Sequence, residues 1–162
     1  MSPIAVPGSL KVLMDNLVVI ENEVIAAILA ETGDQVHGYR WRPRGSEIEL
    51  PALYNWLAPS APMDEPDLAS VRDTVTIAAR LAIPYSTPQD EMASLEQYAD
   101  IFRELVDPKL HNATTSEGVR PLGGSATRAW RSGIFTVSEA FNDISALAIE
   151  LPIVCQLRRV IR

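Results

Sequence analysis

The chain has 162 residues, of which 47% are hydrophobic and 22% are charged, and these values are ordinary for one globular domain. Its net charge of −7 disfavours stable binding to nucleic acid, because such binding needs a basic surface. The single cysteine, Cys155, excludes an internal disulfide and a metal site built from several thiolates. No apolar stretch approaches the roughly 20 residues that cross a bilayer. We therefore expect a soluble protein, made and used without export, with no membrane partner.

Helical periodicity predicts a first helix over residues 9–31, which begins at the N-cap Ser9 and stops at Gly33. Its apolar arc is wider than one stripe, so we expect burial on more than one side. A neighbouring subunit would supply the second surface.

Alternating residues predict an exposed strand over residues 35–44, which carries Arg40, Arg42 and Arg44 at a spacing of two. With Tyr39 before them and Trp41 between two of them, these arginines could stack on nucleic acid. Because the chain is acidic overall, we favour a contact with an acidic neighbouring subunit instead.

The middle of the chain alternates strands with a second helix. Residues 49–57 are apolar on both faces, as in a central strand, and residues 71–83 alternate as a long half-buried strand. Between them, a proline-rich connection holds three acids, which are Asp64, Glu65 and Asp67. A second helix is predicted over residues 89–106 and ends at Asp107-Pro108.

The last third of the chain begins with a polar connection over residues 111–127, which we expect to be a long loop without a core of its own. Strands are predicted over residues 130–141 and 145–161, joined as an antiparallel hairpin by a turn at Asn142-Asp143.

These elements predict an α+β fold in one domain spanning residues 1–162. We expect a twisted, mainly antiparallel sheet with both helices packed on one face, because strands with one apolar face need a cover for it. Residues expected in the core beneath the helices are Tyr54, Trp56, Val75, Ile77, Leu95 and Phe102.

Few residues suit catalysis or metal binding. His37 on an exposed strand and His111 after a helix are predicted to be separate surface residues and not zinc ligands. Cys155 lies in an apolar strand, where a buried thiol is expected. The glycine-rich residues 118–133 lack the Gly-Lys-Ser/Thr ending of a phosphate loop. We predict no enzymatic activity, no metal and no cofactor.

The order helix, hairpin, long strand, helix, hairpin resembles the tail terminator proteins of long-tailed bacteriophages of the siphovirus and myovirus types. The similarity is greatest in the strand Pro-Ala-Leu-Tyr-Asn-Trp at residues 51–56 and in residues 74–80 before the second helix. This resemblance implies a non-enzymatic virion protein of the tail or neck, assembled in the host cytoplasm. Such proteins form a ring, commonly a hexamer, that caps the tail tube and ends its polymerisation.

The resemblance also implies partners. They are further copies of the chain, the tail tube protein and the head-tail connector or head completion protein, while DNA passes through the bore without sequence-specific binding. A basic bore would trap phosphate, so we expect Asp64, Glu65 and Asp67 to face the channel. Arg40, Arg42 and Arg44 are expected at the subunit interface.

Two alternatives stay open. The chain could be another head-tail connector or tail-completion subunit, which would share the same channel. It could also be a small cytoplasmic α+β enzyme or ligand-binding domain. A closed apolar pocket lined by carboxyls with perturbed pKa values would favour this last class.

Overall fold

The computed structural model describes residues 9–58, 70–85, 88–110 and 121–160. Within these ranges the chain forms two helices and a mixed sheet of six strands, and this arrangement confirms the predicted α+β class. The elements in chain order are α1 Leu10–Thr32, β1 His37–Gly38, β2 Ala52–Ala58, β3 Ser70–Pro84, α2 Pro88–Leu110, β4 Arg128–Arg131, β5 Phe135–Phe141 and β6 Ile144–Val160, with a 3-10 turn at Leu122–Gly124.

Helix α1 has the two ends that its sequence predicts. The Ser9 hydroxyl accepts a hydrogen bond from the Val12 N–H at 3.3 Å, so one of the free donors of the first turn is satisfied. Gly33 ends the helix at φ 79°, a left-handed conformation that glycine adopts without strain, and its N–H donates to the Leu29 carbonyl.

Helix α2 continues past the end predicted at Asp107-Pro108 and runs to Leu110, so that prediction was wrong. Pro108 removes one backbone donor from the last turn. The turn nevertheless forms, because Val106 and Leu110 are both buried in the core beneath the helices. Apolar burial here outweighs the local helix-breaking tendency.

The sheet is built around the long antiparallel pair β3 and β6. Strand β2 pairs with the other side of β3, and β1 pairs with β2 as the one parallel neighbour within the described ranges. Strands β4 and β5 occupy successive parts of the outer side of β6. The predicted hairpin at Asn142-Asp143 is confirmed, but the strand predicted over 130–141 is broken at residues 132–134.

Both helices pack on the same face of the sheet, as predicted. Alternate residues of β3 and β6 point to this face. Ile77 of β3 is fully buried there, together with Leu95 and Phe102 of α2. Val75 packs at the margin of the same core. Because a strand has a period of two, these alternating apolar positions require a cover on one side only.

The opposite face of the curled sheet carries a second, smaller core. Tyr54 and Phe141 pack there edge to face, with ring centroids 5.8 Å apart. The small side chains of Ala52, Ala82 and Ala148 line this core and leave room for the sheet to curl. The loop of residues 39–50 closes over it and contributes Ile48.

The core positions predicted for Tyr54 and Trp56 were wrong. Leu53 of β2 lies in the core beneath the helices, so the period of two sends Tyr54 and Trp56 to the other face. Tyr54 is buried in the second core, whereas the Trp56 side chain is 47% exposed.

The predicted coreless loop at 111–127 holds a buried anchor in its described part. Leu122 and Ala126 lie in the core beneath the helices, and Asn16 of α1 donates a hydrogen bond to the Leu122 carbonyl at 2.8 Å. Residues 111–120 lie outside the described ranges.

Candidate functional site

The three arginines of the predicted basic strand do not share one strand face. Only His37–Gly38 of that segment is a strand. Arg40 turns to α1, where its Nη1 lies 2.5 Å from Asp15 Oδ1, and this hydrogen bond lowers the pKa of the Asp15 carboxyl. Arg42 turns to β5, and Arg44 is exposed with no ion pair to any described residue. The subunit contact expected of these arginines stays a prediction.

A network of four side chains with alternating charges joins the loop of residues 39–50 to the curled sheet. Arg42 donates to Glu139 at 3.2 Å, Arg80 donates to Glu139, and Arg80 Nε donates to Glu150 at 2.8 Å. The four side chains are between 10% and 27% exposed. Arg42 also lies over the Phe141 ring, 4.6 Å from its centroid. Because the charges balance, this network is suited to holding the loop in place.

A groove that we term the aromatic groove opens where this loop leaves β2. The Arg42 N–H donates to the Asn55 carbonyl at 2.9 Å, and β2 then runs on to Trp56 and Leu57. Trp41, Arg42, Asn55, Trp56 and Leu57 line a space of about 240 Å³. The side chains of Trp41, Trp56 and Leu57 are 37%, 47% and 48% exposed. The groove therefore presents aromatic and aliphatic surface beside a fixed guanidinium.

A buried carboxyl lies on the inner side of the same strand. Asn55 Nδ2 donates to Glu21 Oε1 at 2.6 Å and to the Arg40 carbonyl at 3.1 Å. Burial raises the pKa of Glu21 to about 8, against the opposing effect of the Asn55 hydrogen bond. Glu21 Oε2 and Asn55 Oδ1 are buried without a partner among the described atoms. In the protonated form, Glu21 carries an O–H that can be donated to Asn55 Oδ1, which would satisfy both oxygens.

The cavity beside Glu21 is small. Its lining includes Val18, Ile25, Gly38 and Leu53, and its volume is about 50 Å³. That is space for one or two water molecules, since a water occupies about 30 Å³ in the liquid. An added Cβ at Gly38 would lie 2.7 Å from Ile25 Cδ1, so a larger residue there would require the end of the Ile25 side chain to move.

The pair of Glu21 and Asn55 was missed in the sequence analysis. A signal was present, because Glu21 is four residues after Leu17 and three before Val24, both of which are buried. Asn55 likewise follows Leu53 by two residues on the covered side of β2. Polar residues at apolar positions of two adjacent elements indicate a buried polar contact.

Other predicted positions have simpler outcomes. Cys155 is fully buried, as predicted, and burial raises the pKa of its thiol to about 12. His37 Nδ1 lies 3.3 Å from Glu49 Oε2, and no group of three or more potential metal ligands occurs in the described part of the chain. Asp64, Glu65, Asp67 and His111 lie outside the described residues.

Within the described ranges, no helix combines the length and apolar character needed to cross a bilayer. No protein-family model matches the sequence, and no curated protein matches it at a significant level. The resemblance to tail terminators therefore rests on the order of elements and the two short segments that suggested it.

Proposed function

We propose that the chain is a non-enzymatic structural protein of the phage virion, a tail-terminator subunit that assembles into a ring, commonly a hexamer, at the tail or neck. In this proposal the ring ends polymerisation of the tail tube protein and joins the tube to the head-tail connector or head completion protein. DNA passes through its bore without sequence-specific binding. Assembly takes place in the host cytoplasm and needs neither a cofactor nor a membrane.

The aromatic groove is the observation that supports self-assembly. Two tryptophans and a leucine are exposed beside an arginine where the loop of residues 39–50 meets β2. Aromatic residues and arginine are enriched in protein interfaces, and such side chains dominate the free energy of association. The choice of a tail terminator among ring-forming proteins rests on the order of elements.

The predicted site residues take different parts in this proposal. Arg42 shapes the aromatic groove and Arg40 fixes the adjoining loop to α1, while the exposed Arg44 is available for an intersubunit ion pair. The channel-facing role of Asp64, Glu65 and Asp67 is carried over from the sequence, because an acidic wall keeps DNA from adhering.

One observation favours the ligand-binding alternative, namely the perturbed carboxyl of Glu21 beside a cavity. The size of the cavity argues against it. Ligand pockets usually enclose about 300–1,000 Å³, whereas this space is about 50 Å³. We therefore interpret Glu21 as a structural acid that links α1 to β2.

Tail-tube assembly in vitro tests the proposal. Purified chain is added to tail tube protein during polymerisation, and tube lengths are measured by electron microscopy. We expect shorter tubes that carry a ring at one end. Rings that leave tube length unchanged would favour another connector or tail-completion subunit, and the absence of both effects would contradict the proposed function.

A further inference from the structure

Helix α1 exposes an apolar stripe to solvent on the side away from the core. Val19 is 59% exposed and Leu29 is 43% exposed, and Ala26 and Ala30 are exposed as well. Spacings of seven, three and one residues place these four side chains on one side of the helix, where the exposed polar residues Asn22 and Glu23 lie between Val19 and Ala26. We term Val19, Ala26, Leu29 and Ala30 the α1 stripe; the described parts of the chain leave it uncovered.

The α1 stripe and the aromatic groove are complementary in shape and chemistry. The stripe is a convex aliphatic surface with two alanines that allow close approach, whereas the groove is a concave space of about 240 Å³ between Trp41 and Trp56. Amphipathic helices bind such grooves through apolar side chains at these spacings.

An exposed acid on α1 and an exposed arginine beside the aromatic groove are of opposite sign. Glu23 and Glu31 are exposed on α1, and neither forms an ion pair within the described ranges. Arg44, two residues beyond the Arg42 of the groove, is also exposed and lacks an ion pair to any described residue. A second copy of the same chain would bring Glu23 and Arg44 together as an ion pair, and this favours a second copy as the occupant.

We propose that the α1 stripe of one copy docks in the aromatic groove of a second copy, with Glu23 facing Arg44. The inference rests on the self-assembly part of the proposed function and is independent of the tail. Ala26 lies near the centre of the contact, and Trp56 and Leu57 form the opposing surface.

Cysteine cross-linking tests this contact directly, because the native Cys155 is fully buried and does not compete. Two variants, Ala26→Cys and Leu57→Cys, are prepared separately, mixed under mild oxidation and examined for a disulfide-linked dimer. The matched control replaces Ala26→Cys with Ala93→Cys, an exposed alanine on α2. We expect the 26–57 pair to cross-link at least about tenfold more than the 93–57 pair, the ratio that a contact worth 1.4 kcal/mol would give.

Association of the Ala26→Arg variant provides a second measurement. A large charged side chain at the centre of the contact should weaken self-association by about tenfold or more, while Ala93→Arg should leave it unchanged. Circular dichroism of each variant checks that the fold is retained.

The possible outcomes separate this inference from the proposed function. Normal rings without a 26–57 cross-link, or normal association of Ala26→Arg, would overturn the docking contact and leave the ring intact. A chain that stays monomeric would overturn both. Loss of DNA binding in Trp56→Ala, with self-association unchanged, would show instead that the groove binds nucleic acid.

Discussion

At the scale of single residues, Glu21 makes stability depend on pH. Its pKa rises from 4.5 to about 8 on folding, so between these values the folded chain holds a proton that the unfolded chain has lost. The free energy of unfolding should therefore fall as pH rises from 5 to 8, by up to about 1.4 kcal/mol per pH unit from this group. Urea unfolding at pH 5, 6, 7 and 8 measures the slope.

The Glu21→Gln variant isolates this effect. A glutamine amide can accept from Asn55 Nδ2 and donate to Asn55 Oδ1, as the protonated acid can, but it does not titrate. We expect the variant to match the wild type near pH 5 and to be the more stable protein at pH 8. The control is Glu23→Gln, an exposed position on the same helix, which should keep the wild-type slope. Equal slopes in all three proteins would show that Glu21 ionises normally.

Single residues were predicted from the sequence where their immediate neighbours decide their surroundings. Cys155 is buried because its strand is apolar throughout, and Ser9 caps α1 because a hydroxyl before a helix binds a free N–H. The pairing of Glu21 with Asn55 joins residues 34 apart in sequence. Only the packing of α1 on β2 brings them together, so the pair could not be predicted from local pattern alone.

At the scale of elements, the charge network should hold the loop of residues 39–50 over the sheet. Removing Arg80 leaves Glu150 without an ion-pair partner among the described residues and Glu139 with Arg42 alone, in a site where both carboxylates are largely buried. We expect Arg80→Ala to lower the free energy of unfolding by about 2–4 kcal/mol, since an unpaired buried charge is costly.

Arg103→Ala is the matched control for the network. Arg103 is 44% exposed and lies 3.5 Å from Asp100 one turn away on α2. Its loss should change the free energy of unfolding by less than about 0.5 kcal/mol, as for other exposed pairs. Denaturant unfolding compares the two variants, and similar losses in both would mean that the network contributes no more than a surface ion pair.

The bounds of the elements were predicted better than the direction in which each strand's side chains point. The α1 boundaries agree to within one residue, because caps and apolar spacing mark both ends. The sequence of β2 does not distinguish its two faces, because both are apolar and buried along Ala52, Leu53 and Tyr54. One face lies under the helices and the other lies in the second core. Which side faced the helices therefore could not be read from the pattern.

At the scale of the whole molecule, reversing the charge predicted at the subunit interface should affect ring formation, whereas reversing the charges predicted in the channel should affect DNA passage. Replacing Arg44 by glutamate should weaken ring formation, because the new carboxylate would face Glu23 of the neighbouring copy and repel it. Replacing Asp64, Glu65 and Asp67 by lysine should leave the ring intact but slow DNA passage, because a basic wall retains phosphate. Ring mass and the rate of DNA ejection from assembled particles measure the two effects. Ring formation that survives the arginine change but fails with the lysines would reverse both assignments.

The fold class followed from the sequence because the order and period of the elements largely determine how one domain can cover its sheet. The candidate site did not follow in the same way. The arginines of residues 40–44 were expected along one strand, but strand β1 ends at Gly38, and Arg40 and Arg42 turn to different elements, α1 and β5. A period of two has meaning only where the strand exists.

Native mass spectrometry with negative-stain imaging shows whether the chain assembles into a closed ring, as proposed. We expect closed rings of uniform mass, a whole multiple of the 17.8 kDa chain, in the presence or absence of tail tube protein. A chain that stays monomeric under both conditions, up to millimolar concentration, would contradict it.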